Sequence, residues 1–254
     1  MLWRVLQLPS IAWGRFFIIW EILLLPMTTE RNYEAENTVP AARQMVDDQH
    51  VFFLSDKASS GRRVLFIGNS ITLHGYRPSI GWFHSDCGMA ASGPEHDYVH
   101  LVLKGLSASR PAIGCIAQIG DWELNFWDDG ILHDVYQGAA DWKPELVIAR
   151  LGENVRPEKM AQYPLLPHFV RMVRFFAGTD ARVVVTDTFW PNAEKERILA
   201  EAAQELGAPL VHLADLGTQD SMKAVGLFEH SGVAGHPGDA GMAAIAERIL
   251  AKIS

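Results

Sequence analysis

From residue 61 onward the chain alternates between short, continuous apolar runs rich in β-branched residues and longer stretches whose apolar positions recur every three or four residues. The apolar runs are "RVLFIG" (63–68), "AIGCIAQIG" (112–120), "ELVIARLG" (145–152), "ARVVVTDTF" (181–189) and "PLVHLAD" (209–215). Runs of this kind are expected of strands covered on both faces. The amphipathic stretches between and after them predict helices over 97–108, 130–142, 164–178, 192–207 and 238–253. The third of these stops at Gly178, and the fourth has an Asn start at Asn192 and a Gly stop at Gly207. Five strands separated by helices predict an α/β domain with a doubly wound, mostly parallel sheet and right-handed crossovers. Ligands of such sheets gather at the carboxyl ends of the strands, here near Gly68 to Ser70, Gly120 to Trp122, Gly152 to Asn154 and Asp187 to Trp190.

The chain before residue 61 follows a different pattern. Residues 1–27 carry two arginines ahead of an apolar run from Phe16 to Leu25 that is interrupted by Glu21 and closed by Pro26. Three readings stay open: an imperfect export signal, an amphipathic membrane-surface anchor, or an upstream extension with Met27 as the working start. The extension is preferred, which makes a cytoplasmic protein the expectation and an exported or membrane-associated one the alternative. Membrane contact is expected only if residues 1–27 act as an anchor. Residues 28–60 are polar and acidic around the short run "VFFL", a lead-in lying over a domain of residues 61–254.

Composition narrows the partners. The 254 residues are 48% hydrophobic and 20% charged, the profile of a folded globular chain. A net charge of -8, with no Lys/Arg-rich run to neutralise phosphates, argues against nucleic acid. Two cysteines, Cys87 and Cys115, form no disulfide framework, and ten histidines show no metal-site spacing, so no metal is expected.

The first strand ends in "VLFIGNSITLHG", which sets Ser70 at a strand-to-helix turn. A serine hydroxyl becomes a nucleophile when a histidine takes its proton, and the oxyanion then formed needs donors already in place. "GHPGDAGM" puts His236 in a Gly/Pro loop before the last helix, "RLGENV" ends the third strand with Asn154, and "DCGMAAS" offers Gly88 at a turn. This order resembles the SGNH hydrolase superfamily, the GDSL-type esterases and lipases, over roughly residues 62–254. The resemblance implies a flavodoxin-like three-layer α/β/α sandwich with a shallow, open site. It also implies Ser70 as nucleophile, His236 as general base and then acid, and an oxyanion hole of the Ser70 and Gly88 N–H groups with the Asn154 amide; no cofactor is implied.

Three departures bear on that chemistry. Asn69 stands where many members carry Asp before the serine, and Val155 where the block after the third strand ends in an acid. Val233 stands where the family usually has an Asp three residues before the histidine. Without that Asp, His236 works in a Ser-His dyad or with a replacement. Glu229, seven residues upstream in the same loop, is the first substitute; Asp239 is the second, and a backbone carbonyl is a third way to orient the ring.

Trp82, Trp122, Trp127 and Trp190 fall in or near site-facing loops, and Trp82, Trp122 and Trp190 are the expected substrate-binding faces for a sugar or an apolar acyl group. The expected activity is hydrolysis of small acyl, acetyl-type esters, with O-acetylated carbohydrates as a substrate class and a small-molecule ester as partner. The alternatives are an acyltransferase of the same fold, or a non-catalytic flavodoxin-like binding module in which "GNSIT" holds a phosphate at a helix start.

Overall fold

Strand β2 (Arg62–Gly68) is buried at every residue from Val64 to Gly68, so helices must cover both of its faces. The computed structural model describes residues 50–56 and 59–253. Segment 1–27 and most of the lead-in 28–60 lie outside the described residues. β3 (Ala112–Gln118), β4 (Leu146–Arg150), β5 (Arg182–Thr186) and β6 (Leu210–Val211) run parallel to β2, whereas β1 (Val51–Phe53) pairs antiparallel with β3. The spatial order is β1-β3-β2-β4-β5-β6.

The side chains of each strand divide by alternation. Val64, Phe66, Ile148 and Val184 face one layer, made by α1 (Tyr98–Ser107) and, at the end of the chain, α8 (Asp239–Ile253). Leu65, Ile67, Val147, Ala149 and Val185 face the other, made by α3 (Gly130–Asp141), α5 (Leu165–Ala177) and α6 (Ala193–Leu206). Three short helices lie in the connections: α2 (Gly120–Leu124), α4 (Pro157–Met160) and α7 (Ser231–Ala234). The result is the expected three-layer α/β/α sandwich. Helix boundaries follow their local chemistry: Asn192 Oδ1 accepts from Lys195 N to start α6, and Gly207, at φ 62°, ends it in the left-handed region.

The sheet has six strands rather than the expected five. The sixth is the edge strand β1, which lies within the lead-in and comes from the run "VFFL". β5 and β6 also stop short of the apolar runs that announced them. The backbone beyond them serves side chains instead of a ladder: Phe189 N donates to Glu153 Oε1 at 3.0 Å, and Leu213 N to Asp187 Oδ1 at 2.5 Å.

Setting β1 aside, the parallel strands take the order second-first-third-fourth-fifth, which reverses direction around β2. In such sheets the crevice opens where the first and third strands meet, here between the ends of β2 and β4. Phe66, fully buried at the centre of β2 with its ring 6.0 Å from that of Tyr98, anchors this arrangement. Phe66→Ala is expected to lower stability by about 3–5 kcal/mol in urea unfolding, because the emptied volume lies in a region covered on both sides.

Candidate active site

Gly68 ends β2 and lets the chain fold back on itself. A Cβ there would stand 1.8 Å from Thr72 Oγ1. The turn is closed by Thr72 N and Leu73 N, which donate to Asn69 O at 2.9 and 3.0 Å, and it leaves Ser70 at the mouth of the β2/β4 crevice. His236 lies in the loop between α7 and α8, and its Nε2 is 2.9 Å from Ser70 Oγ. The pair is separated by 166 residues in sequence and buried, with 2% and 5% of each residue exposed.

The other ring nitrogen settles the tautomer. His236 Nδ1 lies 2.6 Å from Gly232 O, and a carbonyl can only accept, so Nδ1 carries the hydrogen and Nε2 presents a lone pair to the Ser70 hydroxyl. The backbone carbonyl therefore does the orienting, the third of the ways set out from the sequence. Burial pushes the His236 pKa down to about 4; the Gly232 hydrogen bond works against this, while His74 and Arg150 add to the lowering. The ring is accordingly a neutral base throughout the neutral and mildly acidic range. Trp190 packs edge-on against it, with centroids 5.1 Å apart, and donates from Nε1 to Gly235 O at 3.1 Å, which fixes the loop that carries it.

Glu229, the expected substitute acid, is exposed, and Gly232 O occupies the Nδ1 position it would have to fill. Asp239 is engaged elsewhere, accepting from Ser92 N and Ser92 Oγ at 2.8 and 2.7 Å in the first turn of α8. Val233 is fully buried in the apolar core, so an acid at that position would meet no water.

Of the expected oxyanion donors, Asn154 stands at the end of β4 with Nδ2 donating one hydrogen to Glu123 Oε2 at 2.7 Å. Gly88 is held beside the nucleophile turn, since Met89 N donates to Ser70 O at 2.8 Å. Its own N–H, however, donates to Asp97 Oδ2 at 3.3 Å, the carboxylate that also caps α1. Glycine is required there for a different reason: a Cβ would stand 2.1 Å from Ile71 O. Among the tryptophans, Trp82 and Trp122 are fully buried in the two core layers and offer no face to a ligand. Trp190 is half-buried, and Trp127 stacks on Tyr163 at 5.0 Å and 12°.

The sequence reading passed over the polar core behind the nucleophile. Arg150, fully buried at the end of β4, donates from Nη1 and Nη2 to Glu153 at 2.8 and 3.1 Å and from Nη2 to Asn69 Oδ1. Asn69 Nδ2 in turn donates to Glu153 Oε2 at 2.6 Å. Burial works to raise the Glu153 pKa, but Arg150, the Phe189 N–H and Asn69 outweigh it and hold the carboxyl below its ordinary value. The one signal in the sequence was an arginine closing an otherwise apolar strand. Among the described residues, His84, Asp86 and Cys87 bring possible metal-ligand atoms within 4.8 Å of one another, and burial, then the nearby carboxylates, push the Cys87 thiol up.

No protein-family model matches the chain, and no curated protein matches it significantly. Solved structures do. The psychrotrophic esterase EstA from Pseudoalteromonas sp. is 12% identical, with a TM-score of 0.50 over 76% of this chain and 96% of that one. The acetylxylan esterase Axe2 from Geobacillus stearothermophilus is 19% identical, with a TM-score of 0.49 over 78% and 96%. The lipase/acylhydrolase from Enterococcus faecalis is 16% identical, with a TM-score of 0.47 over 76% and 95%. At these identities the likeness concerns the fold alone, the three-layer α/β/α fold that the chain shares with the esterase EstA.

Two outcomes follow for ester hydrolysis. Because His236 must be neutral to act as a base, kcat/KM rises with pH through an acid limb whose midpoint falls near pH 4, where its pKa lies; a pH–rate profile measures it. Glu229→Gln retains near wild-type activity, since the exposed carboxylate holds nothing in the site.

Proposed function

We propose that the protein is a serine ester hydrolase acting on small acyl, acetyl-type esters, with O-acetylated carbohydrates as a natural substrate class. The observation that carries this reading is the buried Ser70 Oγ to His236 Nε2 contact of 2.9 Å with the opposite ring nitrogen tied to a carbonyl. Ser70 Oγ attacks the ester carbonyl while its proton passes to His236 Nε2. The tetrahedral oxyanion lies against the Ser70 N–H and the second hydrogen of Asn154 Nδ2. The intermediate collapses, and the alcohol leaves with the proton from His236. Water then attacks the acyl-enzyme with His236 again as base, releasing the acid and restoring the hydroxyl.

A short acyl group suits the small space next to Trp190. A cavity of about 110 Å³ is lined by Glu153, Thr188, Trp190, Pro191, Asn192 and Lys195, and Trp190 packs directly on His236. The larger hollow, about 810 Å³, opens among Arg62, Arg110, Lys143 and Arg182 at the amino ends of the strands, the opposite pole from Ser70. Among the described residues no helix is long and apolar enough to cross a membrane.

The test is hydrolysis of p-nitrophenyl acetate, butyrate and octanoate by the purified protein. Acetate is expected to be the best substrate, and Ser70→Ala to lower kcat on the order of 10⁴-fold or more while abolishing labelling by a fluorophosphonate. Activity that survives Ser70→Ala would overturn the mechanism. A rise in kcat/KM with chain length would overturn the acetyl preference alone.

A further inference from the structure

Glu123 belongs to none of the motif blocks that drew attention to the site, yet its carboxylate reaches the whole turn that carries Asn154. It projects from α2 at the end of β3 and is 1% exposed. Oε1 accepts from Gly152 N at 2.7 Å, from Asn154 N at 3.3 Å and from Asn69 Nδ2 at 3.2 Å. Oε2 accepts from Asn154 Nδ2 at 2.7 Å. All of these partners are donors and favour the ionised carboxylate, while burial and then the Glu153 charge outweigh them and leave its pKa above the ordinary value.

A primary amide turned by 180° exchanges its NH₂ for its carbonyl, and only one of the two orientations serves an oxyanion. With Nδ2 toward Glu123, the second amide hydrogen of Asn154 remains for the reacting oxygen. With the amide reversed, a carbonyl lone pair would stand there and repel the developing charge. A carboxylate accepts hydrogen bonds and cannot donate them, so it holds the amide in the first orientation. The backbone is fixed by the same group: Gly152, at φ 128°, gives its N–H to Glu123, and Lys195 Nζ holds Glu153 O at 2.8 Å from the other side.

We propose that Glu123 is a positioning residue for the oxyanion hole, selecting the Asn154 amide orientation that presents a donor. This role rests on the serine-esterase reading above. Here Asn69 precedes the nucleophile, and a carboxylate from a separate helix supplies the acceptor that Asn69 cannot offer through its Nδ2.

Glu123→Gln preserves the volume and reverses the selection. Its Oε1 remains on the Gly152 and Asn154 N–H groups, which need an acceptor, so its Nε2 falls opposite the Asn154 side chain and favours the reversed amide. On p-nitrophenyl acetate, kcat is expected to fall on the order of 10²–10³-fold, the loss typical of one oxyanion donor, with KM nearly unchanged. In an Asn154→Ala background the same change is expected to cost no further activity, because the Oε2 contact that it reverses has lost its partner while the Oε1 contacts remain. Unchanged kcat in Glu123→Gln would overturn the role. So would losses that multiply in the double variant, which mark a general structural effect, and thermal melts of the four proteins would show it. A wild type that is inactive on esters and resists the fluorophosphonate removes the esterase reading and this role together. An active wild type with an indifferent Glu123→Gln removes the role alone.

Discussion

A guanidinium sealed from water has to be surrounded by acceptors, and Arg150 imposes that requirement on the centre of this fold. Its side chain is fully buried at the end of β4, where a lone cation would be untenable. Glu153 and Asn69 meet it at Nη1 and Nη2, and in doing so they join the turn after β2 to the turn after β4. The backbone of Phe189, beyond β5, is drawn in through Glu153, and Lys195 of α6 closes the far side. Three strand ends that would otherwise finish in independent loops are thereby held in one polar core. Ser70 and Asn154 each sit next to a member of it, so their separation is set by ionic and amide contacts rather than by loop conformation.

That arrangement also accounts for the asparagine before the nucleophile. Asn69 accepts from Arg150 through its oxygen and donates from its nitrogen to both Glu123 and Glu153. An aspartate would have no hydrogen to give these two carboxylates and would bring a third negative charge beside them. The histidine has a parallel substitution. In the triad pattern a carboxylate orients the ring and stabilises the imidazolium, whereas Gly232 O supplies orientation and only a dipole. The ring is well placed but a weak base, and in the proposed mechanism more of the transition-state stabilisation then falls on the oxyanion donors.

The amino-acid sequence announced those parts whose physics is local or periodic. Strands covered on both faces are continuous apolar runs, so β2 to β5 stood out, and Asn192 with Gly207 marked both ends of α6. β1 did not, because three half-buried residues make an edge strand only when β3, some sixty residues downstream, is there to receive them. The candidates Ser70, His236 and Asn154 could be singled out because each lies in a short motif at a strand or helix end. The ring's partner could not, since a backbone carbonyl carries no side-chain signature. Glu123 lies outside every motif and every predicted element, and Trp82 and Trp122 showed only that large aromatics lay in connections. Which way those side chains face is decided by the two core layers, not by their neighbours in sequence.

The direction of the edge strand separates the two ends of the described chain. β1 runs antiparallel, so His50 enters the sheet beside the carboxyl end of β3, where its carbonyl accepts from Gln118 N at 2.8 Å. α8 finishes at the other pole, where Ile253 O accepts from Arg182 at the start of β5. The two ends of the described chain therefore lie at opposite poles of the sheet, His50 at the pole that carries the Ser70 turn and Ile253 at the far one.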